Sequence, residues 1–551
     1  VYKFEKAKKL SVNHRLGSEK FDFSAKDKNG KPVLLKYKTV NPTTVELTPD
    51  FDMDSVQLTI VSKDPNYRTA AQKTVDFTSR FLMMVRRASV SYRQTNSMTL
   101  PGFTPQPGFL GQQKDQNNMF APGYAFAFGF FDDNTIDDMA NKGWLYKNPE
   151  LVNPAALANT SDLDIKASVE PIPGMKIELN AKRYTAGNTN IQYMFDGMPR
   201  TFSGSYNITQ ISIATAFTKT GNAEQNYASE VFDQFLANRQ KMADRLISDL
   251  RNTKYPTTGF FSDDATIKGQ PFDPAKSKYS LNSPDVLIPS FLAAYTGRDI
   301  NTVNKNPFLS ILEILPNWRL NYDGLSRIGW IQDKFRSVSI THAYTSRYSV
   351  GNYSSYSTWV AMGDDDSALG YIREESTGNP IPSMPYEIST VSLNEQFSPL
   401  IGINAALKNS MTTKLEYRKQ RNLSLNLNST QLIESSSDEF VVGFGYLLKD
   451  FDVILKLKND GQSRIKNDLK LNADLSYKDI KSLLRKINEN VTQASSGNKM
   501  FSLKIMADYV FSSKVNIQLF FDRQTTSPLI SSTYPVSATN FGMSFKFMLT
   551  R

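Results

Sequence analysis

The sequence predicts an all-β fold, a transmembrane antiparallel β-barrel whose long loops carry a few helices. Three observations predict it. Period-two alternation is sustained over lengths that globular strands rarely reach. No apolar run approaches the roughly 18 residues that a membrane-spanning helix needs, and mean hydropathy is −0.40, a value that leaves alternating barrel strands open. The final strand places aromatics on one face and small or polar residues on the other.

The longest alternation runs from Thr412 to Asn428. Thr412, Lys414, Glu416, Arg418, Gln420, Asn422, Ser424, Asn426 and Asn428 take one face, and Leu415, Tyr417, Leu423, Leu425 and Leu427 take the other, interrupted by Lys419 and Arg421. From Ile465 to Lys478, Leu469, Leu471, Ala473, Leu475 and Tyr477 oppose Lys466, Lys470, Asn472, Asp474 and Ser476. Successive strand side chains point to opposite faces, so such segments separate an apolar surface from a polar one. A lipid crossing takes about 9–11 residues, and these segments are long enough to cross and project beyond.

Leu163-Ile165-Ala167-Val169 and Met175-Ile177-Leu179-Ala181 flank Pro171-Ile172-Pro173-Gly174 and read as a hairpin. Further strands are expected near 77–95, 205–217, 335–350, 386–397, 401–408, 438–449, 500–511, 514–524 and 539–549. Over the last third, short connections (409–411, 512–513) largely alternate with long ones (429–437, 479–499, 525–538), the organisation of outer-membrane barrels. With the tight turns periplasmic, the last strand ends in the periplasm. Residues 229–250 read as an amphipathic helix, with Phe232, Phe235, Leu236, Ala243, Leu246, Ile247 and Leu250 on one stripe. A shorter helix is expected at 284–296, ending near Gly297. Loop insertions are expected near 96–160 and 218–316.

The 551 residues carry 64 Lys+Arg against 54 Asp+Glu, a formal net charge of +10. Residues 1–40 hold 11 basic and 4 acidic side chains, so residues 1–76 read as a basic, strand-rich leading segment ahead of the barrel part, 77–551. A basic end can hold nucleic acid or anionic lipid. Val33, Leu35 and Tyr37, alternating with Leu34, Lys36 and Lys38, instead suggest a strand with one wet face, and no base-stacking motif accompanies it. No nucleic-acid partner is expected. The opening Val1-Tyr2-Lys3-Phe4 has neither initiator Met nor signal sequence, and reads as a mature chain or a piece of a longer one.

Catalysis has little to build with. The absence of cysteine excludes disulfides and thiol nucleophiles, and the two histidines, His14 and His342, furnish no cluster. His342 reads as structural, lacking an acidic neighbour in sequence. Asp132-Asp133 with Asp137-Asp138, and Asp364-Asp365-Asp366, lack EF-hand spacing and read as solvated loop tips. No phosphate-binding loop, dinucleotide fingerprint or nucleophile elbow occurs. No enzyme activity, metal or cofactor is expected. The C-terminus is more specific. Asn540, Gly542, Phe545 and Phe547 fit the polar-x-Gly-x-x-aromatic-x-aromatic insertion signal of outer-membrane barrels, although Met548-Leu549-Thr550-Arg551 follow where a terminal aromatic is commoner.

Several blocks carry a resemblance. Leu82-Met83-Met84-Val85-Arg86, Leu100-Pro101-Gly102-Phe103, Gly108-Phe109-Leu110-Gly111 and Asp285-Val286-Leu287-Ile288-Pro289-Ser290-Phe291 are among them. Leu315-Pro316-Asn317-Trp318-Arg319, Tyr322-Asp323-Gly324-Leu325, Phe397-Ser398-Pro399-Leu400-Ile401-Gly402 and Glu416-Tyr417-Arg418-Lys419-Gln420-Arg421 follow. Over residues ~77–551 the chain resembles the SprA/Sov family, the translocons of Bacteroidota type IX secretion. Family members are several times longer, so the resemblance implies the C-terminal part of a very large barrel in the cell outer membrane that exports folded proteins. It further implies as partners the remaining N-terminal part of the translocon, a PorV-like shuttle barrel, a periplasmic plug protein, secreted cargo and outer-membrane lipid. It brings no catalytic residues. A self-contained porin-like channel and a soluble β-rich binding protein stand as the other function classes.

Overall fold

The computed structural model describes residues 2–4, 8–14, 21–50, 52–62, 83–148, 150, 153–195, 198–362, 369–374, 376–456, 462–512, 514–530 and 534–547. The chain divides into two compact units, Val1–Met84 and Val85–Arg551.

In the first unit, β1 (Tyr2–Phe4), β2 (Leu10–Asn13), β3 (Phe21–Asp27), β4 (Pro32–Val33), β5 (Lys36–Asn41), β6 (Thr44–Thr48) and β7 (Met53–Ser62) form two small antiparallel sheets. Their orders are β1-β7-β3-β4 and β2-β6-β5. Val12, Phe21, Ala25, Leu35, Val45, Leu47 and Val56 fill their core. Leu35 is buried and Leu34 exposed, as expected, but both lie between β4 and β5 and Tyr37 is 48% exposed, so the single alternating strand expected there does not form.

The second unit is built on a 14-stranded antiparallel sheet. Its first half comprises β8 (Val85–Thr99), β9 (Ala155–Val169), β10 (Met175–Ile191), β11 (Thr201–Thr209), β12 (Asn317–Tyr322) and β13 (Phe335–Ser355). A separate three-stranded sheet, β14 (Val360–Ala361), β15 (Gly370–Arg373) and β16 (Pro380–Pro382), follows. The main sheet resumes with β17 (Tyr386–Ile388), β18 (Thr390–Leu407), β19 (Met411–Asn426), β20 (Gln431–Lys456), β21 (Gln462–Lys486), β22 (Val491–Ser512), β23 (Val515–Pro528) and β24 (Val536–Phe547). The fold class is the one expected: all-β and antiparallel, with helices confined to excursions. No helix among the described residues is long and apolar enough to cross a membrane.

Two lanes of the sheet are shared. β11 and β12 lie end to end between β10 and β13. β17 and β18 likewise continue one another beside β13. The ordered path therefore has 12 lanes, running from β24 to β8. Among the described residues no pairing joins β8 to β24, so the sheet is open at both edges.

The structure corrects several expectations. The strand expected at 205–217 stops at Thr209; a short 3-10 turn, Ile213–Thr215, begins the excursion. That excursion returns into the same lane at β12, where Leu315 N–H reaches the Thr209 carbonyl at 3.2 Å. The strands expected at 386–397 and 401–408 are largely one strand, β18, with a bulge beside Pro399, which has no N–H to give the ladder. The expected long loops 429–437 and 479–499 are mostly strand, joined by tight turns at 427–430 and 487–490. Ser435, Ser436, Ser437 and Asp438 read as loop because both faces are polar there. They are held by an uninterrupted ladder to Asp479–Ser482. The 364–366 acidic run lies outside the described residues.

The helices form as expected and cap one end of the sheet. Glu230–Leu250 starts at Ser229, whose hydroxyl accepts the Phe232 N–H, and buries Phe232, Phe235, Ala243, Leu246 and Leu250. Pro284–Thr296 is buried on all sides and ends at Gly297 in the left-handed conformation. Both pack over the outer ends of the strands, against Tyr206, Ile208, Tyr348, Val350, Val391, Leu393, Leu423, Leu425 and Leu432.

Within this cap Asp285 is buried and accepts the Met384 N–H at 3.3 Å. Burial pushes its carboxyl from 3.8 up to about 7. The native cap thus holds a proton that the unfolded chain releases, so stability is full below the unfolded pKa. It falls as pH rises toward the native value, by on the order of 4 kcal/mol in total. The cap's thermal midpoint is expected to drop between about pH 5 and about pH 8, and Asp285→Asn should flatten that slope. Melting followed by near-UV circular dichroism at both pH values checks it.

Candidate pore wall

Directly paired residues of an antiparallel ladder share a face, so the register sorts every side chain to one side of the sheet. One row reads Met175, Tyr322, Ile340, Ile403, Leu415, Val442, Leu475 and Leu503 across eight lanes. The next reads Ala405, Thr413, Phe444, Ala473, Ile505, Phe521 and Phe541, and the one after it Met411, Tyr446, Leu471, Ala507, Leu519 and Met543. A further row has Leu448, Leu469, Tyr509, Ile517 and Phe545. Toward β8 the same face carries Val90, Ile165 and Ala181. Among the residues named this belt is apolar apart from Thr413, although its first row passes from Leu503 to Arg523 and Thr539, and it is bare: Phe440 and Phe444 are each 53% exposed, and Phe541 is 75% exposed. Contiguous apolar surface on this scale is foreign to soluble monomers.

Aromatics border the belt on both sides. Tyr417, Phe440, Tyr477 and Phe501 form one border row, with the Tyr417 and Phe440 rings stacked at 4.6 Å. Phe451 and Tyr509 meet edge-on at 6.2 Å near the other. On β21 the belt runs from Leu469 to Tyr477, a length that crosses the lipid core.

The interruption at Lys419 and Arg421 falls immediately beyond the Tyr417 border, on the apolar side. Lys419 pairs with Asp438 at 3.1 Å, and the Tyr417 hydroxyl donates to the same carboxylate at 2.6 Å. Arg421 is buried. It pairs with Glu395 at 2.9 Å and donates to the Thr215 carbonyl at 2.9 Å and the Thr215 hydroxyl at 3.0 Å. The other Glu395 oxygen accepts the Ser212 and Tyr344 hydroxyls, each at 2.7 Å. These charges therefore dock the start of the 210–316 excursion onto the wall. Further along, fully buried Arg485 donates to Glu434 at 2.8 Å and the Tyr227 carbonyl at 3.1 Å, with its guanidinium 5.0 Å from the Phe232 ring.

The opposite face is hydrophilic and carries both signs. One row reads Asn404, Lys414, Gly443, Asp474, Lys504, Asp522 and Asn540. Lys414 and Glu416 pair at 3.1 Å, and Lys166 and Asp164 at 2.8 Å. A recess of ≈ 840 Å³ opens on this face between Arg87, Lys166, Lys176, Glu178 and Asp323. Its mixed charge suits water rather than one ion sign.

The two ends differ. The turns 170–174 and 408–410 close one end, where β22 and β24 also finish. The excursions 100–154 and 356–385 leave the other, and 210–316 leaves mid-lane.

The four C-terminal signal residues all lie on β24, at a sheet edge. Phe545 and Phe547 are exposed on the apolar face, 50% and 69%, while Asn540 and Gly542 take the hydrophilic one. Gly542 sits under the Phe520 ring, where a Cβ would collide. Replacing Phe545 and Phe547 with Ser should deplete the protein from outer membranes, read by immunoblot and heat-modifiable mobility; normal abundance would remove the signal role. His342 caps the bulge, its Nδ1 2.6 Å from the Leu400 carbonyl. Asp132 accepts the Thr135 N–H at 3.0 Å at a helix start, and Asp137 pairs with Arg200, so that cluster is tied up locally. Among the described residues no group of three or more His, Asp or Glu is placed to hold a metal.

No family model matches the chain, and no curated protein does. Among solved structures it matches the outer-membrane protein OmpT of Vibrio cholerae, in its in-vitro folded trimer form. The two are 8% identical, with 84% of this chain and 99% of that one covered, at a TM-score of 0.17. Nothing is carried over from a likeness that slight.

Proposed function

We propose that the 14-stranded sheet is a wall of an outer-membrane β-barrel, with its apolar face in lipid and its hydrophilic face lining water. The observation that carries this reading is the exposed apolar belt, continuous across the lanes and bordered by aromatics. The tight-turn end is then periplasmic and the capped end extracellular. The finer reading is a protein-conducting translocon segment that exports folded proteins in type IX secretion. It is supported by the resemblance to the SprA/Sov family and by the two unpaired edges, which suit a wall continued by further strands. The N-terminal part of such a translocon, a PorV-like shuttle, a plug and cargo are its proposed partners. A porin-like channel is the second reading. It is favoured by the even number of lanes and the opposite directions of β8 and β24, which permit antiparallel closure.

Accessibility tests the wall. Because the chain has no native cysteine, single cysteines at Asp474 and Lys504 should react with a charged, water-borne maleimide in intact outer membranes. Cysteines at Leu475 and Ile505 should not. Labelling at Leu475 and Ile505 with protection at Asp474 and Lys504 overturns the assignment of faces.

A further inference from the structure

The 100–154 excursion contains an uncharged stretch, residues 116–131, with six aromatics: Phe120, Tyr124, Phe126, Phe128, Phe130 and Phe131. They divide in two. Phe126 and Phe131 meet at 5.0 Å and pack inward against a core that includes Leu157 and Ile191 of the wall. Phe128 and Phe130 point outward, 67% and 77% exposed. An uncharged segment that keeps two phenylalanines bare while spending two others as anchors presents a built apolar tip.

Its height on the wall is defined. Asn96 Nδ2 donates to the Gly129 carbonyl at 3.0 Å, which sets the tip beside Asn96 of β8. On β8 the belt ends at Tyr92 on the same face, so the tip lies four residues, roughly 13 Å of strand, beyond the belt's edge. A tilt of about 45° reduces that to roughly 9 Å of height, at the outer limit of a headgroup layer about 5–8 Å deep. A second excursion reaches a similar level. Phe217, 53% exposed, lies 5.3 Å from Phe397, whose partner Lys419 directly follows the Tyr417 border row.

We infer that Phe128, Phe130 and Phe217 form an interfacial collar that rests in the headgroup layer of the outer leaflet. The occupant is lipid because the collar continues the belt on the same face; a partner protein or water is the alternative outcome of the test. Apolar side chains at this depth anchor peripheral elements through buried area. The inference rests on the belt being the lipid face.

Nitroxide labels on single cysteines in the full chain, in isolated outer membranes, decide it. Phe128→Cys, Phe130→Cys and Phe217→Cys are compared with belt positions Leu475→Cys and Ile505→Cys and with Glu224→Cys in the cap. Relaxation by molecular oxygen and by a nickel chelate gives each depth. The collar labels should read as shallow lipid, between the belt labels and Glu224→Cys. If they relax like Glu224→Cys while the belt labels read as deep lipid, the collar is wrong and the wall stands. If they are shielded from both relaxants, a protein covers them and the inference fails. If the belt labels read as water, the wall itself fails.

Discussion

Arg421→Ala should loosen the cap from the wall by about 3–5 kcal/mol, the usual consequence of stranding one member of a buried ion pair. Arg421 and Glu395 are 8% and 1% exposed, so solvent does not compensate the carboxylate left behind. The same change removes the donors to the Thr215 carbonyl and hydroxyl, which fix the point where the chain leaves mid-lane. Limited proteolysis across 210–229 should therefore become markedly faster, while the belt's maleimide protection stays unchanged. Replacing both partners with apolar residues of similar volume, Arg421→Met with Glu395→Leu, should recover most of the loss, since no buried charge remains. Equal proteolysis of the wild type and Arg421→Ala would show that the cap is held by its apolar contacts alone.

This pair also shows what was legible in the sequence. Lys419 and Arg421 stood out as faults in a long alternation, because period two is a purely local property. Their meaning needed Glu395, Ser212 and Thr215, which only the folded sheet brings to them. The strand at Asn317–Tyr322 is hidden in the sequence for the opposite reason. Its Trp318, Leu320 and Tyr322 alternate with Asn317, Arg319 and Asn321, but six residues after a long excursion carry too little pattern to stand out. The ends of β20, β21 and β22 look like loops in the sequence because beyond the belt both faces meet polar surroundings, and hydropathy no longer marks the strand. Thus the segments in the belt were readable, since one-sided burial in an apolar phase imposes alternation. Where the wall leaves that phase, backbone pairing holds the strand without a hydropathy signature. Period two alone puts the C-terminal residues on alternate faces of the last strand, yet the reason for Gly542 lies in Phe520, a partner on the neighbouring strand.

Cross-linking across the two open edges should fail in the native membrane. β8 has 15 residues and β24 has 12, and among the described residues each offers one unpaired side. In lipid every unmatched N–H or carbonyl is costly, so neither edge can stand bare. Two arrangements satisfy them. The edges meet, which closes 12 lanes into a channel narrower than a 16–18-stranded porin, or further strands join each edge and the wall is part of something wider. Closure would align Val90 and Tyr92 with the belt residues of β24, Phe541 and Met543. Cysteine pairs drawn from these positions on β8 and β24 report on contact through oxidation and a shift in gel mobility. Under the translocon reading no pair forms a bond, and each edge cysteine instead cross-links to another segment. In that case residues 1–551 expressed alone should aggregate, and they should integrate when the strands that cover the edges are supplied. A disulfide at one register of β8 with β24, together with uniform single-channel conductance from the same chain, would establish the closed channel and retire the larger wall.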